Sequence, residues 1–356
     1  KKMARRKIYI DTDVYEEAKK RVHHIYDTHD SIAVCFSGGK DSLATLHLVW
    51  EVAQQRGKKK VKVIFRDEEF IPNVVIDFVQ GYKKYDWVDM DYYCVPLLSS
   101  RYILGTVKEY VQWDIKRNHI RKKPDYAINL REGENIVLDQ YTCDEYIAKR
   151  SLLKGKVAFI TGIRASESLI RLRASVNKLN DNYINASSNP RVSLCKPLFD
   201  WEENDIFKYF YEKEIAYCRI YDRQIWASCQ LRVATPLVSE SAKHLDKLKT
   251  IDPTLYEQCL DVFPEMALQS RYYKEAQRYM KKEVEMYGKS FESIKQWIKE
   301  NIKAKDQREK ADKELKSIMR RRIADKGAYP LDYVFKHFRS GGFKKTLMPL
   351  QKSKRK

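Results

Sequence analysis

The feature that most constrains the fold is a junction. In SIAVCFSGGKDSLATLHLVWEV, Ser31 to Val52, the apolar run Ile32–Phe36 passes directly into Ser37-Gly38-Gly39-Lys40-Asp41-Ser42, and a helical pattern starts at Leu43 with no linker. A short, continuous apolar run reads as a strand buried on both faces. Such a strand needs a sheet covered by helices on both sides, and the helix that follows at once supplies the crossover.

The flanking chain repeats the alternation. Residues 11–26 carry Val14, Ala18, Val22 and Ile25 on one helical face, and Leu43–Gln54 carries Leu43, Leu46, Val49, Trp50 and Ala53. Arg56-Gly57 ends that helix; Val61–Phe65 reads as a strand and Asn73–Gly81 as a helix. Tyr92–Leu97 and Val157–Thr161 are further compact strands, with Val192–Leu198 less regular. The expected fold is α/β, a doubly wound, mostly parallel sheet over roughly residues 8–235. We place it in a nucleotide-binding domain over 1–253. A basic helical region over 254–356 follows, its longest helix running from about Phe291 to Met319 behind Ser290 as N-cap. Residues 112–142 and the asparagine-rich 177–190 break the alternation and read as inserted lids or binding loops.

Charge narrows the partners. The net charge is +20, and Arg271–Lys356 holds 26 Lys/Arg against 11 Asp/Glu, a net of +15. That asymmetry suggests an appendage for nucleic acid or for a partner protein. No run of about 18 apolar residues occurs, so no membrane span is expected. Lys1–Lys7 is basic without an apolar core, so no secretory signal is read and the expected location is cytoplasmic. Cysteines stand at 35, 94, 143, 195, 218, 229 and 259 with no C-x-x-C pair, so reduced thiols are expected, with neither zinc nor an iron–sulfur cluster.

The junction itself points to phosphate. Open parallel sheets bind ligands at the carboxyl ends of strands. There Gly38 and Gly39 let backbone amides approach an anion, the helix dipole favours it, Ser37 and Ser42 add hydroxyls and Lys40 adds charge. Two common cradles are excluded. A Walker loop needs glycine where Val34 stands and Ser or Thr where Asp41 stands, and G-x-G-x-x-G is absent.

Ser37–Ser42 does resemble the S-G-G-x-D-S pyrophosphate loop (PP-loop) of the ATP pyrophosphatase and phosphoadenylylsulfate (PAPS) reductase superfamily, at every fixed position. Val157–Ile170, VAFITGIRASESLI, resembles the segment in which Gly-x-Arg, here Gly162 and Arg164, faces phosphate or sulfate. Lys196–Phe210 resembles the P-L-x-x-W-x-x-x-D-I stretch, where Asp200 and Glu203 have capping-box spacing and Asp205 is not counted as catalytic. Ser166-Glu167-Ser168, Trp201 and Ile220–Leu237 are similar to a PAPS-reductase-like subgroup that includes prophage co-activators of the immunoglobulin-binding-regulator A type. The resemblance implies ATP or a related adenine nucleotide, with Mg²⁺, and attack by an acceptor on the α-phosphate. Ser37, Gly38, Gly39 and Ser42 would hold the β,γ-phosphates, and Lys40 would neutralise charge. Asp41 would orient the loop or, indirectly, a Mg²⁺ ion; as a loop residue it is expected to contribute little stability. Gly162 and Arg164 would meet the remaining phosphate or an acceptor anion. The alternatives are a nucleotide-sensing co-activator without turnover, and PAPS reduction. The latter is disfavoured because the reductases' Glu-Cys-Gly-type cysteine near the C-terminus has no counterpart after Cys259.

Overall fold

The computed structural model describes residues 11–167, 171 and 181–350; Ser168 and the 177–180 part of the asparagine-rich stretch lie outside them. The chain divides into two compact units, Lys1–Ser99 with Val111–Thr235 and Lys249–Leu255, and Ser100–Tyr110 with Pro236–Leu248 and Tyr256–Lys356. The division is interleaved rather than a single cut.

In the first unit the elements alternate as the sequence pattern requires: α1 (Val14–Thr28), β1 (Ser31–Cys35), α2 (Lys40–Gln55), β2 (Val61–Arg66), α3 (Asn73–Lys83) and β3 (Val88–Tyr93). A hairpin, β4 (Leu97–Ile103) and β5 (Thr106–Gln112), follows, its Ser100–Tyr110 part belonging to the second unit; the first unit resumes with α4 (Cys143–Arg150), β6 (Val157–Ile160), β7 (Ile184–Ala186) and β8 (Val192–Cys195). Helices α5 (Glu203–Glu212) and α6 (Ile220–Trp226) complete the layer. The six-stranded sheet has the order β3-β2-β1-β6-β8-β7. All pairs are parallel except β7 with β8. Alternation of side chains explains the two layers. Val34, Val63, Phe65, Met90, Ala158 and Ile160 enter the core under α1, α2, α3 and α5, while Ala33, Ile64, Val157 and Phe159 enter a second core with Cys143 and Ile147 of α4. The fold is α/β and doubly wound.

Two expectations for the first unit shift. The strand read over Tyr92–Leu97 is centred earlier, at Val88–Tyr93, because Val88 and Met90 are the inward residues of an alternating VDMDYY segment. Leu97 instead opens the hairpin, whose Leu104 (φ 45°) and Gly105 (φ 90°) have the two positive φ values of a tight primed turn. The capping box of α5 is built from Glu202 and Asp205, not Asp200 and Glu203. Asp200 is drawn off to Arg21, a two-pronged pair at 2.7 Å, and Glu203 to Lys40.

The second unit is helical over its C-terminal part. Beyond α7 (Ser239–Ala242), α8 (Leu245–Ile251) and α9 (Pro253–Val262) come α10 (Met266–Tyr287), α11 (Phe291–Asn301), α12 (Lys305–Ala324) and α13 (Leu331–Arg339). Its core joins Ile294, Trp297, Ile298, Leu315, Ile318, Phe335 and Phe338. Ser290 caps α11 as expected, in a box with Ser293. The single helix expected from Phe291 to Met319 is two: Ile302 turns extended (φ −96°, ψ 97°) and buries its side chain, while Arg308 donates to its carbonyl at 2.9 and 3.0 Å. No helix among the described residues is long and apolar enough to cross a membrane.

Candidate functional site

The strand order reverses at β1. The chain runs from β1 outward to β2 and β3, then returns to place β6 on the other side of β1. The crevice beyond the carboxyl ends of β1 and β6 is the position at which such sheets bind ligands. Ser37–Ser42 leaves β1 there, and Gly162–Arg164 leaves β6.

Two glycines are dictated by space. Gly38 has φ +76°, and a Cβ on it would lie 2.9 Å from the Val75 and Val79 methyls of α3. Gly162 abuts the loop itself, since a Cβ there would lie 2.4 Å from the Asp41 carbonyl carbon and 2.6 Å from Ser42 N. Gly162 therefore serves the site by letting β6 support the first turn of α2. Gly39 is the N-cap of α2 and offers no side chain, so the early amides of that helix lack a local acceptor. One is met from afar: Lys40 N donates to the Tyr221 hydroxyl at 2.6 Å. Burial pushes the Tyr221 phenol above its ordinary range, so the hydroxyl stays neutral. The two serines brace the turn. Ser37 N donates to Ser42 Oγ at 3.1 Å, the two hydroxyls lie 3.0 Å apart, and Ser42 Oγ donates to Gly39 O at 3.0 Å. Ser37 is exposed and Ser42 is buried.

The charged groups converge. Lys40 is 3% exposed, and its Nζ donates to the Leu231 carbonyl at 3.1 Å and to Asp41 Oδ2 at 3.2 Å, with Glu203 Oε2 at 3.3 Å. Arg164, 5% exposed, donates from Nε to Asp41 Oδ1 at 2.6 Å. Its Nη1 reaches Ser166 Oγ at 3.3 Å and the Trp201 carbonyl at 3.5 Å. Asp41 is thus a carboxylate clasped between two cations, which orients the loop. Arg171 pairs with Glu167. Burial, with the nearby positive charges of Arg232 and Arg164, holds its guanidinium below the ordinary arginine range, against the pull of Asp41. Lys40, Arg164 and Arg171 thus gather around the loop, balanced by Asp41, Glu203 and Glu167.

The set does not build a protein-held cation site. Both Asp41 oxygens face cations, and no group of three or more His, Cys, Asp or Glu among the described residues could hold a metal. None of the seven cysteines, all among the described residues, is in a disulfide, and five are buried. Cys259 is fully buried, and burial pushes the Cys35 thiol up to about 12.

The structure brings every sequence-read site residue to one place: Ser37, Gly38, Gly39, Lys40, Asp41, Ser42, Gly162 and Arg164. Sequence reasoning missed Tyr221, Glu203, Arg171 and Leu231 as members of the site. The quoted Ile220–Leu237 stretch contained Tyr221 and Leu231, but nothing local shows that they reach Lys40, 181 and 191 residues earlier in the chain.

The profile of the phosphoadenosine phosphosulfate reductase domain matches residues 31–294, more than half of the chain. The chain belongs to this family. Its resemblance extends to Uncharacterized protein YbdN of Escherichia coli (strain K12), 28% identical over 262 residues, 69% of this chain and 64% of that protein. The chain therefore spans less than two thirds of that relative. Among solved structures, it is similar to Candida glabrata FMN adenylyltransferase in complex with FMN and the ATP analogue AMPCPP. That match has 13% identity and a TM-score of 0.40 over 63% of this chain and 66% of the other. A second is the PAPS reductase from Candida auris in a phosphate complex, at 12% identity and a TM-score of 0.36 over 61% and 94% of the two chains.

Proposed function

We propose that this chain binds ATP, or a close adenine nucleotide, on the Ser37–Ser42 loop and transfers its adenylyl group to an acceptor. The observation that carries the reading is the convergence of the glycine loop, the uncapped N-terminus of α2, Lys40 and Arg164 at the β1/β6 switch point. In this reading the amides of the loop and first turn hold the β,γ-phosphates. A lone pair on an acceptor oxygen, nitrogen or sulfur attacks the α-phosphorus. The bond from that phosphorus to the α,β-bridging oxygen breaks, its electrons leave on pyrophosphate, and a proton carried by the attacking atom passes to solvent. Lys40 and Arg164 stabilise the negative charge that builds on the leaving group, as cations brought close to its phosphate oxygens. To do so they turn from Asp41 toward the phosphates. Pyrophosphate release by the purified chain, with and without candidate acceptors, tests the proposal; none with any acceptor class would sink it.

A second reading, a nucleotide-sensing co-activator of the prophage type, is favoured by one observation. Lys40, Asp41 and Arg164 already neutralise one another, an arrangement that suits binding without turnover. Tight ATP binding with no pyrophosphate released would select it. PAPS reduction through Cys259 finds no support, since that thiol is fully buried.

A further inference from the structure

Helix α6 has two faces with different work. Tyr221 points inward to the loop. At spacings of four and three residues, Arg219, Arg223 and Trp226 share the opposite face. Trp226 is 90% exposed and Ile225 beside it 59%, the most solvent-exposed apolar pair on this helix. An indole held almost wholly in water is unusual for so large an apolar side chain. The helix beneath it is well anchored. Gln224 donates to the Arg232 carbonyl at 2.6 Å and accepts from Arg232 N at 3.0 Å, which ties α6 to the segment whose Leu231 carbonyl holds Lys40. Arg219 and Arg223 are exposed, and Arg223 also donates to the Ile251 carbonyl at 3.3 Å. The carboxylate on this helix, Asp222, accepts from Tyr217 at 3.2 Å.

An exposed indole on an anchored helix, with two arginines on the same face, is the chemistry that stacks an unpaired base and holds the phosphates on either side of it. We propose that the outer face of α6 seats an unpaired stretch of nucleic acid, the strand that presents the acceptor. Placing the acceptor on that strand rests on the adenylyl-transfer reading. The geometry suits it: the two faces of α6 are one helix diameter apart, about 10 Å, so a strand crossing Trp226 passes beside the crevice that Tyr221 closes.

The test uses the full chain with fluorescein-labelled dT20 and rU20, read by anisotropy at several salt concentrations. Trp226→Ala weakens binding roughly 10-fold at fixed salt, with the salt slope unchanged, and Trp226→Phe restores most of it. Arg219→Ala with Arg223→Ala lowers the slope of log affinity against log salt by about 1.4, near 0.7 for each phosphate contact on a single strand. An abasic strand binds wild type as weakly as dT20 binds Trp226→Ala. Unchanged affinity in Trp226→Ala and in the double arginine variant overturns the proposal, as does a wild-type chain that binds no oligonucleotide; a protein-docking face would give either result. ATP titration of the same proteins is independent of these outcomes. Trp226→Ala keeps the wild-type ATP affinity, and a wild-type chain that binds no ATP overturns the function proposed above, not the stacking surface.

Discussion

Gly162→Ala is the sharpest perturbation the structure offers. The new Cβ would lie 2.4 Å from the Asp41 carbonyl carbon, 2.5 Å from its oxygen and 2.6 Å from Ser42 N. All three are backbone atoms, so no rotamer change relieves the clash. Ordinary contact begins near 3.4 Å, so the first turn of α2 and the strand end must separate by about 1 Å. Overpacking of this kind costs about 1–3 kcal/mol. A 1 Å shift also takes an amide–phosphate hydrogen bond from about 2.9 Å to beyond bonding distance. A bond to a charged group contributes about 1.5–3 kcal/mol, so ATP affinity falls roughly 10- to 100-fold for each one lost. Calorimetric titration with ATP and a thermal melt, run together, read both effects. The expected result is weaker binding with a melting temperature lowered by several degrees. Wild-type affinity and an unchanged melt would refute the argument that Gly162 is there for the loop's sake.

Three more expectations follow from the same contacts. Asp41→Ala leaves Lys40 and Arg164 without their shared carboxylate, so it is expected to destabilise by about 3 kcal/mol rather than to be stability-neutral; chemical denaturation checks this. Arg164→Lys keeps the charge but loses the fork that reaches Asp41, Ser166 and the Trp201 carbonyl, and calorimetry should show ATP bound distinctly more weakly, with equal affinity ruling out a phosphate role. His47 meets the Tyr82 hydroxyl at 2.8 Å, and burial pushes its imidazole down to about 4. The unfolded chain then binds the proton first, so stability is lost as pH falls from about 6.5 toward 4, by on the order of 2 kcal/mol. His47→Gln should flatten that part of a pH–denaturation profile; an identical slope in both proteins would count against it.

Much of the first unit was legible because its signals are local. An apolar strand, two glycines and an amphipathic helix in sequence leave few arrangements open, and Ala18, Val22 and Ile25 are buried on α1 as their spacing requires. The errors arise where local patterns are degenerate. Asp200/Glu203 and Glu202/Asp205 have the same spacing, and the choice between them is made by Arg21 and Lys40, which lie far away in sequence. The break at Ile302 has neither glycine nor proline to announce it; burial of Ile302 and the reach of Arg308 produce it. The site shows the same division. The loop was readable, whereas Tyr221, Glu203 and Leu231 join it only through tertiary contacts. The basic C-terminal quarter has a structural consequence of its own: cutting the chain after Ser270 would split α10 beside Gln269, whose buried side chain donates to the Ala242 carbonyl at 2.9 Å. Charge-removing substitutions are therefore the cleaner test of that region.

The central claim is that an adenine nucleotide lies with its phosphates on the Ser37–Ser42 loop. A structure of the full chain with an ATP analogue carrying a methylene in place of the α,β-bridging oxygen tests it most directly. The expected structure has β,γ-phosphate oxygens against the amides of Gly38 to Ser42, with Lys40 and Arg164 turned from Asp41 onto the phosphates. Nucleotide bound elsewhere, or a loop that keeps the Arg164–Asp41 pair and holds no phosphate at saturating analogue, would contradict it.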